Sequence, residues 1–279
     1  MNAVAEPLRL RIIEPRTGWT PTDWRELWEY RELLGFLVWR DVKVRYKQTV
    51  LGALWAVIQP LLTTFFFALL FGRFGGMSRH VSGPYALHVF VGMMPWTFFS
   101  NAVTLAANSM VGSSHLITKV YFPRILVPAS SIVSSLVDFA ISFLVLAVMM
   151  AAYGVAPTWW IVTMPLFVAG TVVAATGAGV LFAALIVTYR DVRYVLTFVM
   201  QLWLFASPVL YTLDIIPPQY RRWYAVNPIA GMISGFHASL LGGPFPLDVI
   251  AISTITTAVL AFAGVRYFLQ VERRFADVI

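Results

Sequence analysis

The sequence predicts an all-α integral membrane protein with six transmembrane helices. Of its 279 residues, 59% are hydrophobic and only 12% are charged, whereas soluble domains carry about 25% charged residues. Several apolar runs reach about 20 residues, the length at which a helix crosses about 30 Å of hydrocarbon. A membrane β-barrel would instead show alternating segments of about 10 residues, a pattern that this sequence lacks.

Six apolar stretches are assigned as spans, and their charged flanks predict the orientation. The spans are 50–72, 85–107, 126–152, 159–187, 195–213 and 247–269. All but four of the 20 Lys and Arg residues then fall on the side of the two termini; the four are Arg73, Arg79, Arg221 and Arg222. Because Lys and Arg accumulate in cytoplasmic loops, we expect a multi-pass protein of the cytoplasmic (inner) membrane with both termini in the cytoplasm.

The chain before the first span carries an amphipathic pattern. Between Trp24 and Tyr46, apolar residues recur at helical spacing opposite a mostly charged stripe. The pattern predicts an interface helix over 23–49 that lies along the cytoplasmic membrane surface, where its basic residues can meet anionic lipid headgroups. It serves either as a membrane anchor or as a docking platform for a cytoplasmic partner. Because the inside-positive bias accounts for the net charge of +7, no nucleic-acid partner is expected.

The domain organisation follows from these segments. We expect a flexible cytoplasmic N-terminus at 1–22, the interface helix at 23–49, a six-span membrane domain at 50–272 and a cytoplasmic tail at 273–279.

The sequence offers no catalytic or nucleotide site of its own. A Walker-type phosphate loop needs glycines followed by Lys-Ser or Lys-Thr, and none of the three lysines, Lys43, Lys47 and Lys119, follows a glycine. The four histidines lack zinc-binding spacing and there is no cysteine. We therefore expect no catalytic residue, no metal and no cofactor bound by this chain. An intramembrane enzyme that assembles polar residues from different spans is the alternative.

Asp138, within "SSLVDFAIS", is the one acidic residue near the middle of a predicted span. A carboxylate at this depth is costly and faces a protein interior or water. We expect a structural partner, such as a hydroxyl or an amide on a neighbouring span, rather than substrate or proton handling. On the fourth span, Ala175, Gly179 and Ala183 recur every four residues, which predicts a close helix-packing face.

The segment 214–246, between the last two spans, is too interrupted to form a seventh span. Its only apolar stretch, 229–241, has 13 residues and would reach about 20 Å as a helix. Pro217-Pro218 and Asn227-Pro228 interrupt any continuous helix. We predict two short helices that form a re-entrant hairpin on the external side, with Trp223 and Tyr224 near the headgroups.

An ordered set of motifs carries a family resemblance over nearly the whole chain. It begins with Arg40-Asp41, the run 45–49, Leu51-Gly52, Trp55 and Pro60, and continues through "PWTFFSNAV", "LITKVYFPR", "YRDVRYVL", "QLWLFASPVLY" and "NPIAG". The set resembles the polysaccharide-exporting permeases of the type-2 ABC exporter superfamily, which move O-antigen, teichoic acid or similar lipid-linked glycans.

The resemblance implies a homodimer that works with two copies of a cytoplasmic ABC ATPase subunit, which would hold the ATP and Mg²⁺. ATPase docking is implied for Arg40, Asp41, Arg45, Lys119, Tyr121, Phe122, Arg124, Arg190 and Asp191. A glycan pathway is implied near Trp96, Phe98, Phe99, Trp203, Phe205 and Tyr211, and an external gate at Trp223, Tyr224, Asn227 and Pro228. A small-molecule exporter of the same superfamily is the closest alternative.

Overall fold

A computed structural model describes residues 24–47, 54–81, 83–272 and 275. These residues form α-helices joined by short turns, and no strand occurs among them. The helices are α1 (Trp24–Glu29), α2 (Arg31–Lys47), α3 (Trp55–Phe67), α4 (Tyr85–Gly112), α5 (Ser114–Lys119), α6 (Leu126–Tyr153), α7 (Met164–Thr188), α8 (Val192–Phe205), α9 (Pro218–Tyr224), α10 (Ala230–Leu241) and α11 (Leu247–Val271).

Among the described residues, five helices are long and apolar enough to cross a membrane. They are α3 with its π-helical continuation (Trp55–Phe74), α4, α6, α7 with the turn before it (Trp159–Thr188), and α11. The prediction of an all-helical membrane protein is therefore confirmed. These helices correspond to five of the six predicted spans.

The predicted span 195–213 is not one continuous helix. Helix α8 ends at Phe205 after 14 residues, which reach about 21 Å. Pro208 follows, and because it has no N–H it cannot bond the Leu204 carbonyl and extend the helix. The six-span count accordingly stays a prediction.

The segment before the first span forms two helices, α1 and α2, with a turn at Tyr30. The N-terminal residues 1–22, the ends of the predicted interface helix at 23 and 48–49, and most of the predicted tail at 273–279 lie outside the described residues. Leu27, Tyr30 and Leu34, three residues of the predicted apolar stripe, pack against a buried cluster. The other face of α2 exposes Phe36 and Trp39.

The described buried side chains form two main clusters, a large one along most of the helix bundle and a small one at one end. The larger surrounds α4 and includes side chains of α6, α7 and α10. The smaller joins Leu37 of α2 to Met110, Phe122, Val187 and Phe268. We call the end that holds this smaller cluster the α2 end, and the opposite end, built around α10, the α10 end.

Helix α7 occupies the centre of the bundle because its small residues let two helices approach closely. Ala175, Gly179 and Ala183 are buried as predicted, and a Cβ added at Gly179 would lie 2.9 Å from the Ala106 Cβ on α4. On another face, a Cβ at Gly177 would lie 2.6 Å from the Ala261 Cα on α11. The predicted packing face is therefore confirmed, and a second one faces α11.

The segment 214–246 contains the two short helices that its proline pattern predicts, α9 and α10. Most side chains of α10 are buried, because the helix packs between α4, α7 and α11. Gly242 and Gly243 end it at φ values of 88° and 100°, which favour glycine. The re-entrant position of this hairpin in a membrane stays a prediction.

Candidate functional site

Two polar sites tie together segments that lie far apart in the sequence, one at each end of the bundle. The first, the α2–α6 joint, lies where α2 packs beside α6. It consists of Asp41, Arg45 and Tyr46 on α2 and Ser130, Ser134 and Asp138 on α6.

The hydrogen bonds of the joint show that α2 and α6 run parallel. Ser130 Oγ donates to Asp41 Oδ2 at 3.2 Å, and Arg45 Nη2 donates to Ser134 Oγ at 3.4 Å. The second bond lies four residues further along both helices, which is about one helical turn. The two bonds therefore act as successive rungs between the helices.

Asp138 is the charged centre of the joint. Its Oδ2 accepts from Arg45 Nη1, and its Oδ1 accepts from the Tyr46 hydroxyl. Burial and, next, the hydrogen bond to Asp138 together raise the pKa of Tyr46 to about 12, so the phenol keeps its proton and donates. Asp138 thus has partners within the chain, but they come from α2 and include a guanidinium, whereas we expected a hydroxyl or an amide on a neighbouring span.

The serines of α6 complete this polar face. Ser130, Ser134 and Ser142 are buried. Ser134 and Ser142 donate to backbone carbonyls of α6 itself, and Ser130 shares its one hydroxyl proton between Asp41 and the Val127 carbonyl, which lies 2.8 Å away. Because serine satisfies its hydroxyl locally in this way, α6 can carry a polar stripe without leaving unpaired groups in an apolar environment.

The three docking residues predicted on α2 are engaged within the chain. Arg40 pairs with its neighbour Asp41, with 2.8 Å between Nη2 and Oδ1, and both side chains are half-buried. Arg45 contacts α6 through Asp138 and Ser134.

The remaining docking residues divide into exposed and enclosed side chains. Tyr121 is 67% exposed, whereas its neighbour Phe122 is 5% exposed and packs inside the smaller cluster. Arg124 donates to the Glu272 carbonyl at the end of α11. Lys119, Arg190 and Asp191 are exposed. The role of all nine residues in ATPase docking stays a prediction. Of the nine, the exposed side chains are those that a partner protein can reach in this conformation.

The second polar site, the Asn227 knot, lies at the α10 end. The Asn227 Oδ1 accepts from the Trp203 indole N–H at 2.9 Å and from the Ile229 backbone N–H at 3.1 Å. Its Nδ2 donates to the Ala206 carbonyl at 3.0 Å and to Ser207 Oγ at 2.9 Å. This one amide therefore joins the end of α8 to the turn before α10.

Two tyrosines and a serine extend the knot. The Tyr211 and Tyr224 hydroxyl oxygens lie 3.1 Å apart, and burial raises the pKa of the Tyr224 phenol, so it stays protonated. Ser253 of α11 accepts from the Gly231 N–H at 3.0 Å and donates to the Ala225 carbonyl at 2.9 Å. Sequence reasoning missed Ser253, because nothing in the α11 pattern distinguishes it from other small polar residues.

The predicted gate residues surround this knot. Trp223 is exposed and Pro228 is buried, with Tyr224 and Asn227 half-buried between them. The motifs "QLWLFASPVLY" and "NPIAG" are thus brought into contact, which their spacing alone could not predict. Their role in gating stays a prediction.

The aromatic residues predicted along a glycan pathway do not share one surface. Trp96, Phe98 and Phe99 lie in the core; Phe98 stacks on Phe139 with 4.8 Å between ring centroids. Phe99 meets the edge of Trp203 at 5.2 Å. Tyr211 is half-buried and Phe205 is exposed, so in this conformation Phe205 has the most accessible ring of the six.

Within the described residues, no group of three or more His, Cys, Asp or Glu side chains could hold a metal ion. One pair of histidines that sequence reasoning left unassigned does meet: the rings of His88 and His237 stack with centroids 4.0 Å apart. His237 Nε2 lies 3.0 Å from the His88 carbonyl oxygen, so this contact ties α10 to α4.

Comparison with known proteins finds a matching protein family and several similar proteins. The family described as ABC-2 type transporter matches residues 32–241. O-antigen export system permease protein RfbA of Myxococcus xanthus is 32% identical over 258 residues, covering 91% of this chain and 98% of the relative. A protein of the same name from Klebsiella pneumoniae is 29% identical over 250 residues, covering 89% of this chain and 95% of the relative.

A more distant relative is the polysialic acid transport protein KpsM of Escherichia coli. It is 23% identical over 235 residues, covering 80% of this chain and 88% of the relative. The family match runs from α2 to α10 and therefore includes both the α2–α6 joint and the Asn227 knot.

Proposed function

Because the chain belongs to the ABC-2 type transporter family, we propose that it is the membrane subunit of an ATP-driven exporter of a lipid-linked polysaccharide of the O-antigen class. The observation that carries the proposal is the near end-to-end match to a relative named as an O-antigen export permease, with 91% of this chain and 98% of the relative aligned. The family match over residues 32–241 likewise includes α9 and α10 as well as four of the five long apolar helices.

ATP and Mg²⁺ would bind a separate ATPase subunit. The sequence has no glycine-rich loop followed by Lys-Ser or Lys-Thr, so this chain cannot cradle nucleotide phosphates in the usual way. The chain itself is then a transport subunit rather than an enzyme. Exposed residues at the α2 end, among them Tyr121, Arg190 and Asp191, are the first candidates to contact that ATPase.

Two copies of the chain would form the export path between them. Helix α3 exposes Leu62, Phe65 and Phe66, and α8 exposes Phe198 and Leu202. Such apolar faces suit a second copy of the chain or lipid tails. The path would open when the ATPase binds one arrangement of the α2 end more tightly than another, since only differential affinity can shift a conformational equilibrium.

In the membrane, the chain would lie in the cytoplasmic (inner) membrane with both termini in the cytoplasm. The α2 end would then face the ATPase and the α10 end the outside. This placement follows from the inside-positive distribution of Lys and Arg. It requires α8 and the residues after it to complete a sixth crossing.

A small-molecule exporter is the second candidate, and one cavity favours it. The cavity has a volume of about 490 Å³ and is lined by Phe143, Leu146, Met150, Met164 and other apolar residues. This volume is typical of small-ligand sites, but such sites also have a few convergent polar groups that orient the ligand. The lining is almost entirely apolar, so the cavity matches a small-molecule site in volume but lacks the polar groups that would orient a ligand there.

The proposal can be tested by deleting the gene for this chain in its own host. Lipid-linked glycan should then accumulate at the cytoplasmic face, where a glycan-specific antibody detects it only after the cells are permeabilised. Expression of the chain from a plasmid should restore surface glycan only when the partner ATPase is active. Unchanged surface glycan with lost export of a small apolar dye would favour the second candidate instead.

A further inference from the structure

The α2–α6 joint has a geometry that suits the transmission of movement. We propose that Arg45 and Tyr46, by holding Asp138, are positioning residues through which movement of α2 is passed to α6. The inference rests on the proposed function, because it assumes that an ATPase acts at the α2 end. It concerns residues within this one chain rather than the docking surface itself.

Helix α2 has one main partner among the spanning helices. It packs along α6 and makes few contacts with the other described spanning helices, including α3, which follows it in the chain. Leu37 anchors its first half in the smaller cluster, and the joint anchors its last turns. A displacement of α2 is therefore carried mainly by α6.

The joint resists sliding and rotation of α2 against α6. Its two rungs, Asp41 with Ser130 and Arg45 with Ser134, lie four residues apart on both helices. A shift along the axis breaks both rungs, and a rotation of α2 removes Arg45 from Asp138. Apolar contacts alone would hold the helices together but would not select one register, whereas polar pairs in an apolar environment select it.

Beyond the joint, α6 contacts two helices that reach the α10 end. Phe139, the residue after Asp138, stacks on Phe98 of α4 at 4.8 Å. Its ring also meets the edge of Phe236 of α10 at 6.1 Å. A shift of α6 at Asp138 must therefore displace Phe139 against α10, and α10 begins at the turn that the Asn227 knot holds.

The experiment exchanges the two charges. Arg45→Asp and Asp138→Arg are made singly and together, and each variant is purified with its ATPase. Lys43→Asp is the matched control, because Lys43 is exposed on the same helix and the change in charge is identical. Three quantities are measured: the amount of folded complex, its ATP hydrolysis, and the glycan exported per ATP hydrolysed.

We expect each single reversal to lower the glycan exported per ATP about tenfold, within the usual range of coupling between sites, while the ATPase stays bound and hydrolyses ATP. The double reversal should recover most of this loss, and Lys43→Asp should change the ratio little. The proposal is overturned if the single variants lose folded complex but keep the ratio, or if the double variant is no better than the singles.

A second measurement covers the case in which the reversed pair does not fold. Because the chain has no native cysteine, Arg45→Cys and Asp138→Cys can be combined and bridged with a short bifunctional thiol reagent. If α2 and α6 move as a unit, the bridge should restore export that the unbridged double-cysteine variant has lost. Export that falls further on bridging would contradict the proposal.

Wild-type export is the reference in both experiments. Failure of the proposed function would appear as absent glycan export in the wild-type complex itself. Failure of the joint would appear only in the variants.

Discussion

The two polar sites of this protein both hold separate segments of the chain together, but they use different chemistry. The α2–α6 joint pairs charges, Arg45 with Asp138, across 93 positions of sequence. The Asn227 knot uses one neutral amide whose oxygen accepts two hydrogen bonds and whose nitrogen donates two. Both bring distant segments into fixed contact.

The two sites therefore differ in how they respond to the loss of one side chain. A charged pair in an apolar environment selects one register strongly, but each partner depends on the other, because the loss of one leaves the other charge unpaired. A neutral amide with all its groups satisfied carries no such charge and loses only hydrogen bonds when it is removed. The α2 end is therefore suited to transmit a defined displacement, and the α10 end to hold a turn in place.

The largest expected difference between the two ends is their accessibility from outside the cell. An impermeant thiol reagent should label Gln219→Cys on α9 and should not label Tyr121→Cys, because we place these exposed residues on opposite sides of the membrane. Slow labelling is expected for Ser239→Cys in α10, which is buried. The control is labelling after permeabilisation, which should reach both Gln219→Cys and Tyr121→Cys. Strong labelling of Tyr121→Cys in intact cells would place both ends on one side.

The next largest effect separates two neighbours at the α2 end. Phe122→Ser should destabilise the protein by about 4 kcal/mol, since it removes a large buried side chain from the core. Tyr121→Ser should leave stability nearly unchanged, because Tyr121 is exposed, but should weaken association with the ATPase. Thermal unfolding in detergent and a pull-down with the ATPase measure the two effects. Equal stability of both variants would mean that Phe122 is not part of a packed cluster in solution.

A smaller loss of stability is expected when the ion pair between Arg45 and Asp138 is broken. Asp138→Leu should destabilise the protein by about 3 kcal/mol, the lower end for a broken buried pair, because the Asp138 side chain is still 25% exposed. Asp138→Asn keeps a hydrogen-bonding group and should lose less. The comparison is read from unfolding midpoints in detergent. If Asp138→Leu is as stable as wild type, the pair contributes no net stability.

The smallest of these effects is expected at the knot. Asn227→Leu should destabilise the protein by about 2 kcal/mol, because it leaves the Trp203 indole N–H and the Ile229 N–H without an acceptor. Asn227→Asp is the comparison variant: it keeps both acceptor contacts but replaces Nδ2 by an oxygen that faces the Ala206 carbonyl oxygen, so its loss of stability reports the donor contacts. Stability is again followed by thermal unfolding, together with the Trp203 environment by fluorescence. If Asn227→Leu loses more stability than Asp138→Leu, the knot rather than the ion pair is the more sensitive of the two sites.

Several features could be predicted from local sequence because their physical causes are local. Uninterrupted apolar runs produced the helices α3, α4, α6, α7 and α11. The prolines of 214–246 divided that segment into α9 and α10, and the small residues of α7 predicted its contact with α4. The relation to polysaccharide permeases could be predicted as well, since short motifs in a fixed order carry it.

Other features depended on contacts between distant residues. The interruption after Phe205 was missed because the apolar run continues past Pro208 to Tyr211, and hydropathy does not register a missing N–H. Tyr121 and Phe122 received the same predicted docking role, yet Phe122 lies buried in the cluster that includes Leu37 and Phe268.

Local sequence was enough to assign the class of this protein: an all-helical membrane chain of the ABC-2 type transporter family without a phosphate-binding loop. Hydropathy, proline positions and ordered motifs are properties of short segments, so they can be read without knowing where the segments meet. The pairing of Asp138 with Arg45, and the contact by which Asn227 holds Trp203 to the turn before α10, depend instead on how the helices pack. A hydrogen bond or an ion pair acts over about 3 Å, and the approach of two side chains to that distance is set by the packing of whole helices.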